Sequence, residues 1–122
     1  AVKKLSQAGI KVSLFIDPDK EQIAASKKAG AEIVELHTGA YANATGGAQE
    51  AELERLIRGA KLSAEEGLIV AAGHGLHYHN IQPLMEIEEI EEYNIGHSII
   101  ARAVFVGISQ AVREMKDILN RT

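Results

Sequence analysis

Four times along this chain a short β-branched or apolar run gives way, within a few residues, to a stretch of helical period. Lys11–Ile16 stops at Asp17-Pro18-Asp19, where Asp19 and Gln22 form a capping-box pattern for a helix that closes at Gly30. Glu32–Leu36 is the second strand and leads into a long loop from His37 to about Gly47. A helix from Ala48 to Glu66 follows, with Leu53, Leu56, Ile57 and Ala60 at helical spacing and Gly67 behind it. Leu68–Ala72 reads as a strand buried on both faces. Asn80 then caps a short helix to about Glu89 that tolerates Pro83 in its first turn. Tyr93–Gly96 is the last strand. A short helix from Ser98 and, past Gly107, an amphipathic helix bearing Ile108, Val112, Met115 and Leu119 complete the pattern.

Strands and helices alternating through short connections require right-handed crossovers and therefore a parallel sheet. Such a sheet needs cover on both faces. Four units make either a small open sandwich or half of an eight-stranded barrel, in one domain spanning residues 1–122. Ala1–Leu5, ahead of the first strand, reads as the middle of an amphipathic helix ending at Gly9. It carries no initiator methionine, which fits a processed end or the back part of something larger.

Composition removes several function classes. There is no cysteine, so neither a disulfide framework nor a cysteine-ligated metal is available. The net charge of −4 comes from interspersed acids and bases without the clustered Lys and Arg of a nucleic-acid footprint. No apolar run approaches the roughly 18 residues of a membrane span. The expectation is a soluble, cytoplasmic protein with no nucleic-acid or membrane partner.

The stretch Ala71–Asn80 draws the chemistry together. Gly73-His74-Gly75 stands at the end of a buried strand, where glycines let backbone approach a ligand closely. Asn94-Ile95-Gly96-His97-Ser98 repeats the event one strand later, and the two junctions look like one site. In a βα barrel this is the catalytic end, and the loops after the last strands often bind phosphate at a helix N-terminus. An uneventful glycine turn satisfies the same pattern. Glu35, flanked by Val34 and Leu36, is either an exposed strand end or a charge facing the mouth of the site, where it would favour a cationic intermediate.

All five histidines, His37, His74, His77, His79 and His97, lie at strand ends, where imidazole can move protons near neutral pH. A zinc cluster from His74, His77 and His79 lacks the helical spacing and a carboxylate ligand, so His77 and His79 read as hydrogen-bonded loop residues. Asp17 and Asp19 are explained by turn and cap, and Glu86–Glu92 by a solvated helix face.

Val12–Asp17, Val34–Gly39, Ala72–Leu76 with Tyr78-His79-Asn80, and Asn94–Ile100 followed by Arg102-Ala103-Val104 resemble the pyridoxine 5′-phosphate synthase family, motif after motif and in order. The resemblance covers essentially the whole chain and maps onto the C-terminal half of that family. It implies a (β/α)8 barrel of which this chain forms about the last four βα units. The implied reaction condenses 1-deoxy-D-xylulose 5-phosphate with 3-amino-2-oxopropyl phosphate. It yields pyridoxine 5′-phosphate, phosphate and water, with no metal or organic cofactor, in a homo-oligomer that family members build as an octamer. By the same resemblance His74 is the proton donor, Glu35 stabilises charge in the transition state, and Gly75, Gly96 and His97 bind the aminooxopropyl phosphate. The family's base histidine, second acid/base glutamate and phosphate-gripping arginine belong to the front half and match nothing here. Two other readings stand beside the enzyme: a non-catalytic half-barrel that binds phosphorylated ligands or pairs with another half, and a histidine metal-binding module.

Overall fold

A computed structural model describes residues 1–120. Its centre is a parallel sheet of four strands in the order of the chain: β1 Ser13–Ile16, β2 Ile33–His37, β3 Ile69–Gly73 and β4 Ile90–Asn94. The helices are α1 Val2–Gln7, α2 Lys20–Ala29, α3 Gly39–Asn43, α4 Gly46–Glu65, α5 His97–Val106 and α6 Ile108–Leu119, with a 3₁₀ turn at Gln82–Glu86. The α/β class and the parallel sheet are as the alternation of elements requires, and four sequential βα units are the content of half a barrel.

Strand register sorts the side chains onto two faces. Val34 and Leu36 stand beside Val70 and Ala72 and are buried against Ile23 of α2, Leu56 and Ala60 of α4, Leu84 of the 3₁₀ turn and Met115 of α6. The opposite face aligns Phe15, Glu35 and Ala71 in one row and His37, Gly73 and Asn94 in the next. No core helix covers it, and Phe15 is 54% exposed. The expectation that both faces would be covered is therefore corrected: α2, α4 and α6 all pack on one side. β1 and β4 remain as unpaired edges.

Five local expectations also change. The loop after β2 contains α3, anchored by Tyr41, which is buried and donates its hydroxyl to the Asn80 carbonyl at 2.8 Å. The acid-rich run Glu86–Glu92 is not a helix face, because β4 already starts at Ile90. Glu91 is the extra residue of a bulge opposite Val70 and Ala71. That bulge lets both Ile90 and Tyr93 face the helices, and the Tyr93 hydroxyl donates to the Leu84 carbonyl at 2.8 Å. Burial there pushes the Tyr93 phenol up to about 12.

Asn80 caps nothing: its side chain accepts the His77 N–H and donates to the Gly75 carbonyl, and only the short 3₁₀ turn follows. The capping box at α2 also fails. Asp19 is the N-cap residue but receives Arg55 of α4 at 2.7 Å, while Gln22 accepts the N–H of Asp17. In α6 the buried face runs through Ala111 and Met115. Ile108 and Val112 are exposed together with Ile100, Val104 and Phe105 of α5.

Candidate active site

The carboxyl ends of β2, β3 and β4 open on one cleft of about 580 Å³, lined by Phe15, Glu35, His74, Gly75, Leu76, His77, Asn94, Ile95, Gly96, His97 and Ser98. Glu35, His74, Gly75, Gly96 and His97, singled out in the sequence, thus all border the same space. Asn94 and Ser98 belong to the second junction that the sequence placed in this site, without roles of their own, whereas Phe15 was not assigned to it. Strand parity held the signal for Phe15, which sits in register with Glu35.

Glu35 points across the sheet on the uncovered face. Its Oε2 accepts a hydrogen bond of 3.0 Å from Asn94 Nδ2. Gly73 lies between them on β3. A Cβ built there would collide with the Glu35 carboxylate and come within 3.1 Å of the Asn94 backbone. The glycine is what allows a carboxylate to lie over this strand.

His74 follows immediately, exposed and with φ of +86°, and it is the only non-glycine residue with positive φ among the described residues. Its ring stacks on that of His37, with centroids 4.8 Å apart and an interplanar angle of 21°. Phe15 lies against the other partner, 4.9 Å from His37. His37 Nδ1 accepts the Gly39 N–H at 3.2 Å, which leaves its ring proton on Nε2 in the neutral form. Next along, Gly75 has φ of +76°, and a Cβ would lie 2.7 Å from that of Ala42. Here two successive left-handed residues turn the chain sharply at the end of β3.

The third wall is the start of α5. Gly96 is its N-cap residue and supplies no side-chain cap, so first-turn N–H groups stay available to an anion, with the positive end of the helix dipole behind them. Ser98 ties this turn to the rest by donating to the Leu76 carbonyl at 2.8 Å. Gly96 itself has φ of −122°, and a Cβ added there would meet nothing within 4 Å; it is unobstructed, not conformationally required.

His77 and His79 behave as loop residues, His77 Nδ1 accepting the His79 N–H. Among the described residues no three His, Asp or Glu side chains gather as a metal set would. A second groove of about 660 Å³ between the 3₁₀ turn, α5 and α6 contains Tyr78, Arg102 and Glu114. Two of its charges are spent on each other: Arg102 grips both Glu114 oxygens at 2.8 and 3.0 Å, which holds that carboxyl down at about 2.

Sequential parallel βα units with acid, imidazole and a helix N-terminus gathered at the carboxyl ends of the strands match the end at which βα-barrel enzymes carry their active sites, often with a phosphate site after the last strands. The family model described as pyridoxal phosphate biosynthesis protein PdxJ matches residues 1–121, and the chain belongs to that family. It is 58% identical over 118 residues to a pyridoxine 5′-phosphate synthase of Sulfurihydrogenibium sp., covering 97% of this chain and 49% of the relative. The enzyme of the same name from Pseudoalteromonas translucida is 59% identical over 120 residues, covering 98% and 49%. That of Idiomarina loihiensis is 58% identical over 122 residues, covering 99% and 50%. The chain spans about half the length of these curated relatives. No helix among the described residues is long and apolar enough to cross a membrane.

Proposed function

We propose that this chain supplies the rear wall of the active site of a pyridoxine 5′-phosphate synthase, in which it forms the second half of a (β/α)8 barrel. The observation that carries the reading is the meeting of Glu35, His74 and the Gly96-His97 helix start in one cleft, in a chain more than half identical to enzymes of that name. The substrates are 1-deoxy-D-xylulose 5-phosphate and 3-amino-2-oxopropyl phosphate. The phosphate of the latter sits at the start of α5, contacted by Gly75, Gly96 and His97.

The amine of one substrate adds to the ketone of the other and gives a carbinolamine. His74 donates a proton to its hydroxyl, which leaves as water. The iminium left behind is a cation, and the Glu35 carboxylate across the cleft lowers its energy. Ring closure and loss of phosphate draw on residues of the other half. A cytoplasmic, homo-oligomeric enzyme, octameric as its family resemblance implies, belongs to the same reading.

A second reading is favoured by the two unpaired strand edges and the uncovered face: a half-barrel that binds phosphorylated ligands without turning them over, or pairs with another half. The complete enzyme, meaning this chain together with the half that its relatives carry in addition, decides the matter. Formation of pyridoxine 5′-phosphate that is abolished by His74→Asn supports the synthase. Tight phosphate binding with no product from the two substrates supports the second reading.

A further inference from the structure

We infer that Thr38 is a positioning residue for His74, holding the imidazole in its working place through the backbone; the inference rests on the proton-donor role proposed above. Thr38 is completely buried. Its N–H donates to the Gly73 carbonyl at 2.9 Å and continues the β2–β3 pairing one residue past the strands. Its hydroxyl lies 2.7 Å from that same carbonyl and 2.6 Å from the carbonyl of His74, a single proton shared between two acceptors. The second contact is the informative one. A side chain on β2's exit reaches 36 residues along the sequence to grip the peptide of the residue whose backbone is least comfortable.

A non-glycine residue is uncommon at positive φ, although histidine adopts it more readily than most, and neighbours that hold it there fix the direction of its ring. The neighbours of Thr38 complete the hold. His37, one residue before, provides the ring on which His74 stacks. Gly39, one residue after, has no Cβ; one built there would run into the His37 ring and lie 3.1 Å from His74 Cδ2. Platform, hydroxyl and gap are consecutive residues. They fix the ring, the peptide and the clearance of one imidazole, and a fold requirement alone explains none of the three together. The pairing bond from the Thr38 N–H would hold the strands without any hydroxyl.

Thr38→Val keeps shape and that N–H bond and removes only the hydroxyl's contacts with the Gly73 and His74 carbonyls. In the complete enzyme, kcat should fall roughly 10- to 100-fold, the scale set by small misplacement of a reacting group. KM for both phosphorylated substrates should stay within about twofold, and Thr38→Ser should restore kcat. The histidine Cε1–H resonance of His74, displaced by the ring beneath it, should move toward an unstacked position in Thr38→Val and return in Thr38→Ser. An unmoved resonance overturns the inference whatever the kinetics. So does a moved resonance with unchanged turnover per folded molecule, provided His74→Asn is impaired. Should His74→Asn itself turn over normally, the synthase reading of His74 fails, and the resonance alone decides whether Thr38 positions the ring.

Discussion

Asn94 holds the carboxylate of Glu35 across a strand to which neither belongs. Their hydrogen bond of 3.0 Å joins β4 to β2 over the backbone of β3, and the strand between them offers Gly73 at the crossing. Gly73→Ala should therefore force the carboxylate aside. The carboxylate is the far end of a flexible side chain and can swing away, but the Asn94 backbone oxygen at 3.1 Å cannot. That puts the cost at the low end of the overpacking scale, about 1 kcal/mol, read as a lowered urea midpoint, with turnover in the complete enzyme reduced more strongly. A variant as stable as the parent would mean that Glu35 has room elsewhere.

His74→Asn separates chemistry from shape. Asparagine is among the residues that tolerate positive φ, so the turn at the end of β3 should survive. A placed acid is typically worth about 10²–10⁴ in rate; kcat of the complete enzyme should fall by that factor and substrate affinity far less, because the proton transfer belongs to the transition state. A destabilised variant with wild-type single-turnover rates would show that His74 only packs the loop.

Gly75 and Gly96 should part company. Gly75→Ala places a Cβ at φ +76° against Ala42 and should cost more than about 1 kcal/mol of stability. The Cβ of Gly96→Val meets no atom within 4 Å and no forbidden φ, so melting should fall only by what a poorer N-cap residue costs while phosphate affinity, measured by titration calorimetry, drops. Equal phosphate binding by Gly96→Val would remove the start of α5 from the site.

The Arg102–Glu114 pair gives a pH signature. Glu114 is held at about 2 against an ordinary value of 4.5, chiefly by the hydrogen bonds from Arg102 and then Gln110. A depressed carboxyl contributes stability above its unfolded value and loses it as pH falls from about 4.5 toward 2. Thermal melts of the parent and of Glu114→Gln should differ at pH 6 and converge near pH 2; a difference that persists unchanged at the acid end would show that the pair acts by packing.

Left by itself, this chain should associate. β1 and β4 offer unpaired edges, and unpaired edges recruit partners; Phe15 on the uncovered face and Val104 and Phe105 on α5 add exposed apolar surface. Sedimentation showing a compact monomer at high concentration would count against it.

What could be read from the residues alone follows their physics. Val34, Leu36, Val70 and Ala72 carry their burial in their chemistry, and Gly30, Gly67 and Gly107 punctuate the helices, so the order of elements was legible. Glu86–Glu92 was not, because a bulge at Glu91 breaks the alternation by which a strand is recognised. Asp19 and Asn80 have the right side chains for caps, yet Arg55 and the Gly75 loop, the first of them distant in sequence, claim them first. Glu35, His74, Gly75, Gly96 and His97 stood out because charge, imidazole or glycine at a strand end is unusual. Thr38 did not: a threonine after a strand is ordinary until the partner 36 residues away is known.

The strand order β1-β2-β3-β4 makes every inter-strand pairing a pairing between consecutive units. Cooperativity in such a sheet is passed from neighbour to neighbour, as in stacked repeats, with no strand inserted later between two earlier ones. Each pairing nonetheless closes over a whole crossover, from Ile33 to Ile69 at its longest, and such parallel contacts form slowly. Amide protection should accordingly be graded along the sheet, deepest at Val34, Leu36, Val70 and Ala72 and shallowest at the two rims. Damage to the β4 unit would then fray one side of the molecule and leave the β1–β2 pairing standing.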